Sequence, residues 1–333
     1  MRLETENPRI GVMIEKPLRD RLFTESDRRR LNRLGDVTWA ESETPLTQAQ
    51  AIEMLADCQI AVGSWKSALP TAELLRACPQ LLLWEHAAGS VKHLYGPHLD
   101  ERKLIIASCK PALADVVAEM TLGQIILGLR RAFENAAENR SALAAHPPGL
   151  RVLMGSTIGV VGASLIGRRV IRLLQPFGCE ILIYDPHVCA DEIRCIGAIK
   201  VDCLLHLCSA SDVVTLHTPD IPATRNIIGA RELAAMKDDA IFINTARGQC
   251  VDEGALTCEL RHGRLTAFLD VTWPEPPAID SPLRRLPNVI YTSHIAGPPC
   301  INLGRQVVND IEAFLDGGMP EYVFTPDMLS ATA

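Results

Sequence analysis

The sequence predicts an α/β protein of two doubly wound parallel-sheet domains, the second inserted into the first. Three observations lead there. Strand-like and helix-like stretches alternate almost from end to end. Between Thr157 and Pro186 a strand, a tight turn, a helix and a second strand ending in a carboxylate follow one another. A last helical stretch, residues 301–315, is left over once the second series of strands is counted. Short apolar strands with helices between them form parallel sheets covered on both faces, and 333 residues suit two domains.

The first series opens with a strand over residues 9–14 and a helix over 25–34. Residues 59–62 form a second strand ahead of Trp65. Residues 71–77 are helical and are stopped by Pro79; 81–84 and 104–107 are further strands. Pro111 then opens one long helix over 112–140, as proline suits a first helical turn. Its Val116, Val117, Met120, Ile125, Ile126 and Leu129 give a wide apolar face. Residues 145–149 end it.

The second series has strands at 157–161, 181–184, 213–216, 240–244, 266–271 and 289–292. Helices fit 166–175, 191–196, 230–235 and 253–262. These six strands complete a sheet, so the helix 301–315 packs back on the first domain. The expected division is therefore 1–110 with 298–333, a discontinuous flavodoxin-like substrate domain, and 111–297, a Rossmann cofactor domain inserted in it. No repeat of solenoid period is visible.

Composition narrows the class. Hydrophobic residues make up 47% and charged residues 22%, as in a soluble globular protein. The net charge of −7 without a basic block argues against nucleic acid or an anionic membrane as partner. The most apolar stretch, 122–129, is broken by Gln124 and is too short to span a bilayer. The N-terminus shows no apolar signal region. Eleven cysteines without a C-x-x-C pair argue against zinc or a redox dithiol. Several sit in apolar runs (Cys203, Cys208, Cys258), which predicts reduced, core-packed thiols and a cytoplasmic location.

The turn after Val161 carries the first functional signal. Gly162 and Gly167 occupy the first and third positions of G-x-G-x-x-G, and Ser164 replaces the second. A helix N-terminus offers free N–H groups and positive dipole to a pyrophosphate. Ser164 adds a Cβ at the close approach and a hydroxyl that could donate to a phosphate oxygen. Asp185 stands 23 residues beyond Gly162, where an acid accepts hydrogen bonds from the adenosine ribose. Its charge would repel a 2′-phosphate, which favours NAD over NADP. The plain alternative is a glycine turn in an ordinary βαβ unit.

Three polar residues follow later strands of the same series: Arg247, Glu275 and His294. Ligands of doubly wound sheets bind at the C-terminal strand ends, so the three can converge. Their types suit hydride transfer to or from a 2-hydroxy acid. An arginine fork holds a carboxylate. A histidine exchanges the hydroxyl proton. A carboxylate on the other ring nitrogen orients the imidazole and favours its protonated form. The nicotinamide supplies the hydride, and no metal is needed. Singly, Arg247 reads as a loop cap, Glu275 as a solvated acid and His294 as a strand-end residue bonded to backbone.

The chain resembles the D-isomer-specific 2-hydroxyacid dehydrogenases, among them D-lactate, D-glycerate and phosphoglycerate dehydrogenases. The resemblance covers nearly the whole length and is strongest over 156–297. It rests on Asn244-Thr-Ala-Arg-Gly248 with Val251-Asp-Glu253, on Leu269-Asp-Val with Pro274-Glu-Pro276, and on Ser293-His-Ile-Ala-Gly297. It implies Arg247 as substrate binder, His294 as acid/base and Glu275 as its partner. It also implies NAD contacts from Leu165, Ile166, Asp185, the loop Leu216-His217-Thr218-Pro219, and Thr245, Ala246 and Arg247. Asp270 is the implied partner of the nicotinamide carboxamide. Ala88 and Gly89, in His86-Ala-Ala-Gly-Ser90, are implied backbone contacts of the substrate carboxylate, and Trp65, Lys66 and Trp273 are candidate cleft residues, with Lys66 read as an ordinary surface residue.

Two departures stand out: Ser164, and Ser293 where the family usually has proline. The His–Glu pair argues against the related formate dehydrogenases, which place glutamine at the position of Glu275. The chain ends soon after its last helix, so the regulatory extension of some phosphoglycerate members is not expected. The helix from Ala112 reads as a dimer arm, as the resemblance implies for a homodimer, or as a buried domain helix; the enzyme is expected to bind cofactor first and then close the first domain over the substrate. The competing reading is a non-catalytic NAD-sensing scaffold of corepressor type. A third is another oxyanion substrate such as phosphite.

Overall fold

Two parallel sheets organise the computed structural model, which describes residues 7–99, 102–140, 149–297 and 301–330. The chain divides into two compact units, residues 1–113 with 299–333 and residues 114–298. In chain order the elements begin β1 (Arg9–Val12), α1 (Lys16–Leu22), α2 (Glu25–Leu34), β2 (Asp36–Trp39), α3 (Gln48–Leu55), β3 (Ile60–Gly63), α4 (Ala72–Ala77), β4 (Leu83–His86), β5 (Ile105–Ser108), α5 (Lys110–Leu129) and α6 (Ala132–Glu138). They continue with β6 (Thr157–Val161), α7 (Leu165–Leu174), β7 (Glu180–Tyr184), α8 (Ala190–Cys195), β8 (Ile199–Lys200), α9 (Leu204–Ala210), β9 (Val213–Leu216), α10 (Ala230–Ala235), β10 (Ala240–Asn244), α11 (Glu253–Arg261), β11 (Leu265–Leu269), β12 (Val289–Tyr291), α12 (Ile301–Leu315) and β13 (Val323–Phe324).

The first sheet runs β13-β5-β4-β3-β1-β2, parallel except where β13 pairs antiparallel with β5. Leaving β13 aside, its order is the 2-1-3-4-5 of a flavodoxin-like sheet. The second runs β12-β11-β10-β9-β6-β7-β8. Read from β8, this is the 3-2-1-4-5-6 order of a Rossmann sheet with one further strand. The expected α/β class with two doubly wound sheets therefore holds. The central strands β3, β4, β9 and β10 are buried at every position, as strands covered on both faces must be.

α12 belongs to the first unit. Leu303, Val307, Val308, Ile311 and Phe314 recur at helical spacing and are buried with Ile10, Val12, Ile60 and Leu83. Each such side chain contributes roughly 1.5–3 kcal/mol on burial.

Several expectations need correction. The helix foreseen over 112–140 is two helices. α5 ends at Leu129, and Arg131 takes a left-handed conformation (φ 49°) before α6 begins. Phe133 then stacks edge-on against Phe268, ring centroids 5.8 Å apart. Residues 145–148, expected to terminate the helix, lie outside the described residues. The second sheet has seven strands rather than six; the missed β8 is two residues long and pairs only with β7.

α5 is, by length and composition, long and apolar enough to cross a membrane, contrary to the expectation from 122–129. Its apolar content has a partner in the second unit's core, where Ala118, Ile125 and Leu129 pack with Ile158, Val160 and Ile243. Cys208 is buried as expected, but Cys203 and Cys258 are exposed. No disulfide joins the ten described cysteines.

Candidate active site

Strand register places the candidate residues along one edge. Val161, Tyr184, Leu216, Asn244, Leu269 and Tyr291 each end a strand, and each pairs with the last residue of the strand beside it. Gly162, Asp185, His217, Thr245, Asp270 and Thr292 therefore leave the second sheet in one row. That row is the C-terminal edge, where doubly wound sheets hold ligands. Strand order reverses between β6 and β9, so Gly162 and His217 sit at the switch point.

The turn after β6 is cut to the backbone. Gly162 has φ +99°, and a Cβ there would fall 2.9 Å from the His217 carbonyl oxygen. A Cβ on Gly167 would lie 2.2 Å from the Gly162 oxygen. Ser164 stands in ordinary extended conformation (φ −65°, ψ 174°) as the N-cap of α7, and its Oγ accepts from the Gly167 N–H at 3.3 Å. No left-handed backbone is needed at the middle position, and the hydroxyl proton remains a donor. Leu165 and Ile166 form the first turn of α7. Asp185 is fixed through both oxygens, Oδ2 accepting from Ala163 N–H at 2.8 Å and Oδ1 from His187 N–H at 2.9 Å.

Across the switch point, His217 is 2% exposed. Its Nε2 lies 3.0 Å from Thr215 Oγ1, and burial pushes its pKa down to about 3, so the ring is neutral. His217 Nδ1 and Thr218 Oγ1 are buried without a protein partner. Buried polar atoms are normally hydrogen-bonded, so unpaired groups beside a glycine cradle mark a place for a polar ligand. Pro219 follows them in the same loop.

The later strand ends carry the other residues. Asn244 clasps the turn after β10. Its Oδ1 accepts from Ala246 N–H and its Nδ2 donates to Arg247 O, both at 3.0 Å. Thr245 Oγ1 is 3.2 Å from Thr121 Oγ1 of α5. The half-buried Arg247 donates Nη1–H to Ala246 O at 2.7 Å. After β11, Asp270 is 1% exposed. Its Oδ1 accepts from Thr292 Oγ1–H at 2.6 Å and Ile295 N–H at 2.8 Å, and its Oδ2 accepts from Ala296 N–H at 2.9 Å. Its carbonyl accepts from His294 N–H at 2.9 Å. This bracket holds His294 at φ 55°.

The structure brings His294 and Glu275 together: Nδ1 and Oε1 are 2.6 Å apart, with side chains 50% and 35% exposed. Nδ1–H donating to the carboxylate leaves Nε2 to face solvent or substrate. An exposed ion pair contributes about 0–1 kcal/mol, whereas a left-handed non-glycine residue costs about 1–3 kcal/mol. Stability does not explain the arrangement. Trp273, 59% exposed, precedes Glu275. Ala88, Gly89, Trp65 and Lys66 belong to the first unit. There Ala88 N–H donates to His86 O, and Lys66 is exposed with φ 65°. The clasping role of Asn244 and the bracing role of Asp270 were not anticipated; an amide or acid at a strand end followed by a tight turn is the signal that could have shown them.

The D-isomer specific 2-hydroxyacid dehydrogenase NAD binding domain, as a family model, matches residues 122–296. The chain belongs to this family. A glyoxylate reductase of Korarchaeum cryptofilum is 30% identical over 289 residues, covering 84% of this chain and 86% of that one. A D-3-phosphoglycerate dehydrogenase of Methanocaldococcus jannaschii is 33% identical over 264 residues; the match covers 78% of this chain and 50% of that relative. The chain thus spans about half the length of that dehydrogenase. A solved Thermus thermophilus protein is 28% identical with a TM-score of 0.73, over 95% of this chain and all of that one.

In this 2-hydroxyacid dehydrogenase family member the cofactor is NAD. The groups at the switch point fit it: a backbone-only turn, a capped helix N-terminus with a hydroxyl, a fixed carboxylate at the end of β7, and two unpaired buried polar atoms.

Proposed function

We propose that the chain catalyses hydride transfer between NAD(H) and a small 2-hydroxy or 2-keto acid. The observation that carries this reading is the His294–Glu275 pair at 2.6 Å, held on the same sheet edge as the glycine turn and Arg247. When bound, NAD supplies or accepts the hydride. Arg247 holds the substrate carboxylate through its planar fork. His294 Nε2 gives a proton to the carbonyl oxygen in reduction and takes the hydroxyl proton in oxidation. Glu275 keeps the ring in the tautomer and orientation that make this possible. The resemblance alone assigns Ala88 and Gly89 to the substrate carboxylate and Asp270 to the nicotinamide carboxamide. The setting in this reading is a cytoplasmic homodimer, which sedimentation tests.

The activity test is loss of NADH absorbance with a panel of 2-keto acids. His294→Ala is expected to lower kcat by about 10²–10⁴-fold, the usual worth of general acid–base catalysis, with NADH affinity kept. An active protein whose His294→Ala variant retained full turnover would remove the acid/base assignment.

A further inference from the structure

The scheme above leaves Glu253 unused, yet its surroundings give it a task. Glu253 is the first residue of α11, and Asp252 is the N-cap, its Oδ1 accepting from Ala255 N–H at 2.9 Å. Glu253 Oε2 reaches away from that cap to accept from the Trp273 N–H at 3.1 Å. Two residues on is Glu275. The same loop is pressed from a second side. A Cβ on Gly248 would lie 2.1 Å from the carbonyl carbon and oxygen of Thr272 and 2.7 Å from Trp273 N. Thr272 also closes on its own loop, its hydroxyl donating to Pro274 O at 2.8 Å.

A carboxylate is an expensive way to hold this loop. Glu253 borders a small pocket, partly open to solvent, that is otherwise lined largely by Val251, Leu256, Leu269, Val271 and Leu283. Burial pushes its pKa up, against the lowering effect of the Trp273 hydrogen bond. An apolar side chain would fill such space without desolvating a charge. What it could not do is accept a hydrogen bond from the peptide that leads into Glu275.

We propose that Glu253 is the positioning residue for Glu275: with Gly248 it fixes the Thr272–Glu275 loop against the Arg247 turn, so that the Glu275 carboxylate meets His294 Nδ1. This rests on the hydride-transfer reading for its effect on rate, but not for its effect on the pair's geometry. Two anchors then build one dyad, with Asp270 holding the histidine loop and Glu253 the glutamate loop.

The test compares Glu253→Gln, Glu253→Leu, Glu253→Ala, Glu275→Gln and the double variant Glu253→Leu/Glu275→Gln. Readouts are kcat and KM for a 2-keto acid, KM for NADH, the melting temperature, and the ¹⁵N shift of His294 Nδ1 in labelled protein. Glu253→Gln keeps an acceptor oxygen and should stay within about twofold of wild type. Glu253→Leu should lose roughly tenfold or more in kcat, with KM for NADH within about twofold, and its Nδ1 shift should move to that of Glu275→Gln. Groups acting through one another are non-additive, so the double variant should be no slower than Glu275→Gln alone. Glu253→Ala, which only deletes atoms beside an existing pocket, carries the comparison if the leucine variant does not fold. An unchanged Nδ1 shift in the leucine and alanine variants would overturn the proposal. Wild-type protein inert toward every 2-keto acid would instead overturn the functional reading, while the Nδ1 shift would still decide the role of Glu253.

Discussion

Ser164 shows how one side chain can replace a glycine without loss of the motif. The middle position of the turn needs room for a pyrophosphate, not a left-handed backbone, and here the residue is an extended N-cap. Serine is a preferred cap, and its loss to alanine costs about 0.5–2 kcal/mol, whereas loss to glycine costs a few tenths. Ser164→Ala should therefore lower stability by about 1 kcal/mol in urea unfolding. Ser164→Gly should leave stability nearly intact, yet weaken NADH binding severalfold in calorimetric titration if the hydroxyl donates to the cofactor. Equal NADH affinity in wild type and the glycine variant would remove that contact. The same residue-scale view explains what the sequence made legible at the site. Gly162, Asp185, Arg247, Glu275 and His294 follow successive predicted strands, and that order together with the family resemblance pointed to them. Glu253 and Asn244 act by bonding to backbone N–H and C=O groups of neighbouring turns. Which peptide those side chains reach depends on the path of each loop, and no local pattern encodes it.

Two helix glycines differ in how tightly a neighbour approaches. Gly304 of α12 faces the end of α1: a Cβ would lie 2.4 Å from Leu22 O and 2.9 Å from Phe23 Cα. Both contacts are backbone, which cannot swing aside. Gly304→Ala should cost about 1–3 kcal/mol by overpacking. Gly123 of α5 has nothing within 4 Å of the same built atom, so Gly123→Ala should gain about 0.5–1 kcal/mol from helix propensity. Urea unfolding of the two variants should give opposite signs; a shared sign would show that α5 or α12 packs otherwise. Element by element, apolar stretches of regular period bounded by polar or glycine residues were the legible ones. α2, α10, α12, β6, β9 and β10 fall where their apolar spacing put them. The misses have physical causes. β8 and β13 are two residues long, too short for any period. β2 is an edge strand with alternating exposure and only one partner. The break between α5 and α6 falls at Arg131, a residue type that seldom takes positive φ, so neither glycine nor proline announced it.

At the scale of the molecule, buried titratable groups oppose one another in their response to acid. His217 in the second unit and His86 in the first are both neutral when folded, each with its pKa pushed down to about 3 by burial, and for His86 also by neighbouring His93. Unfolded, each binds a proton below about 6.5. The unfolded state then holds more protons, so stability falls as pH drops from 6.5 toward 3, by about 1.4 kcal/mol per pH unit for each histidine. The first unit carries an opposing group. Glu85 is fully buried beside Asp310, and its pKa is raised well above the usual carboxylate range, first by burial and then by Asp310. A proton kept in the folded state and lost in the unfolded state above about 4.3 makes stability fall as pH rises, with a slope of the same size and opposite sign. While folded Glu85 keeps a proton that an unfolded carboxylate has lost, it offsets part of the acid sensitivity that His86 gives the first unit. Three of the four tryptophans, including the fully buried Trp84, lie in the first unit. Urea unfolding followed by tryptophan fluorescence should accordingly weaken less steeply with acid in the wild type than in a variant that lacks the Glu85 carboxyl. Glu85→Gln keeps the shape of the protonated acid but cannot titrate. It should stabilise the first unit at pH 7–8 and make its fluorescence transition fall more steeply with acid below pH 6.5 than in the wild type. A glutamine variant with the wild-type pH profile would mean that Glu85 does not carry its proton in the folded chain.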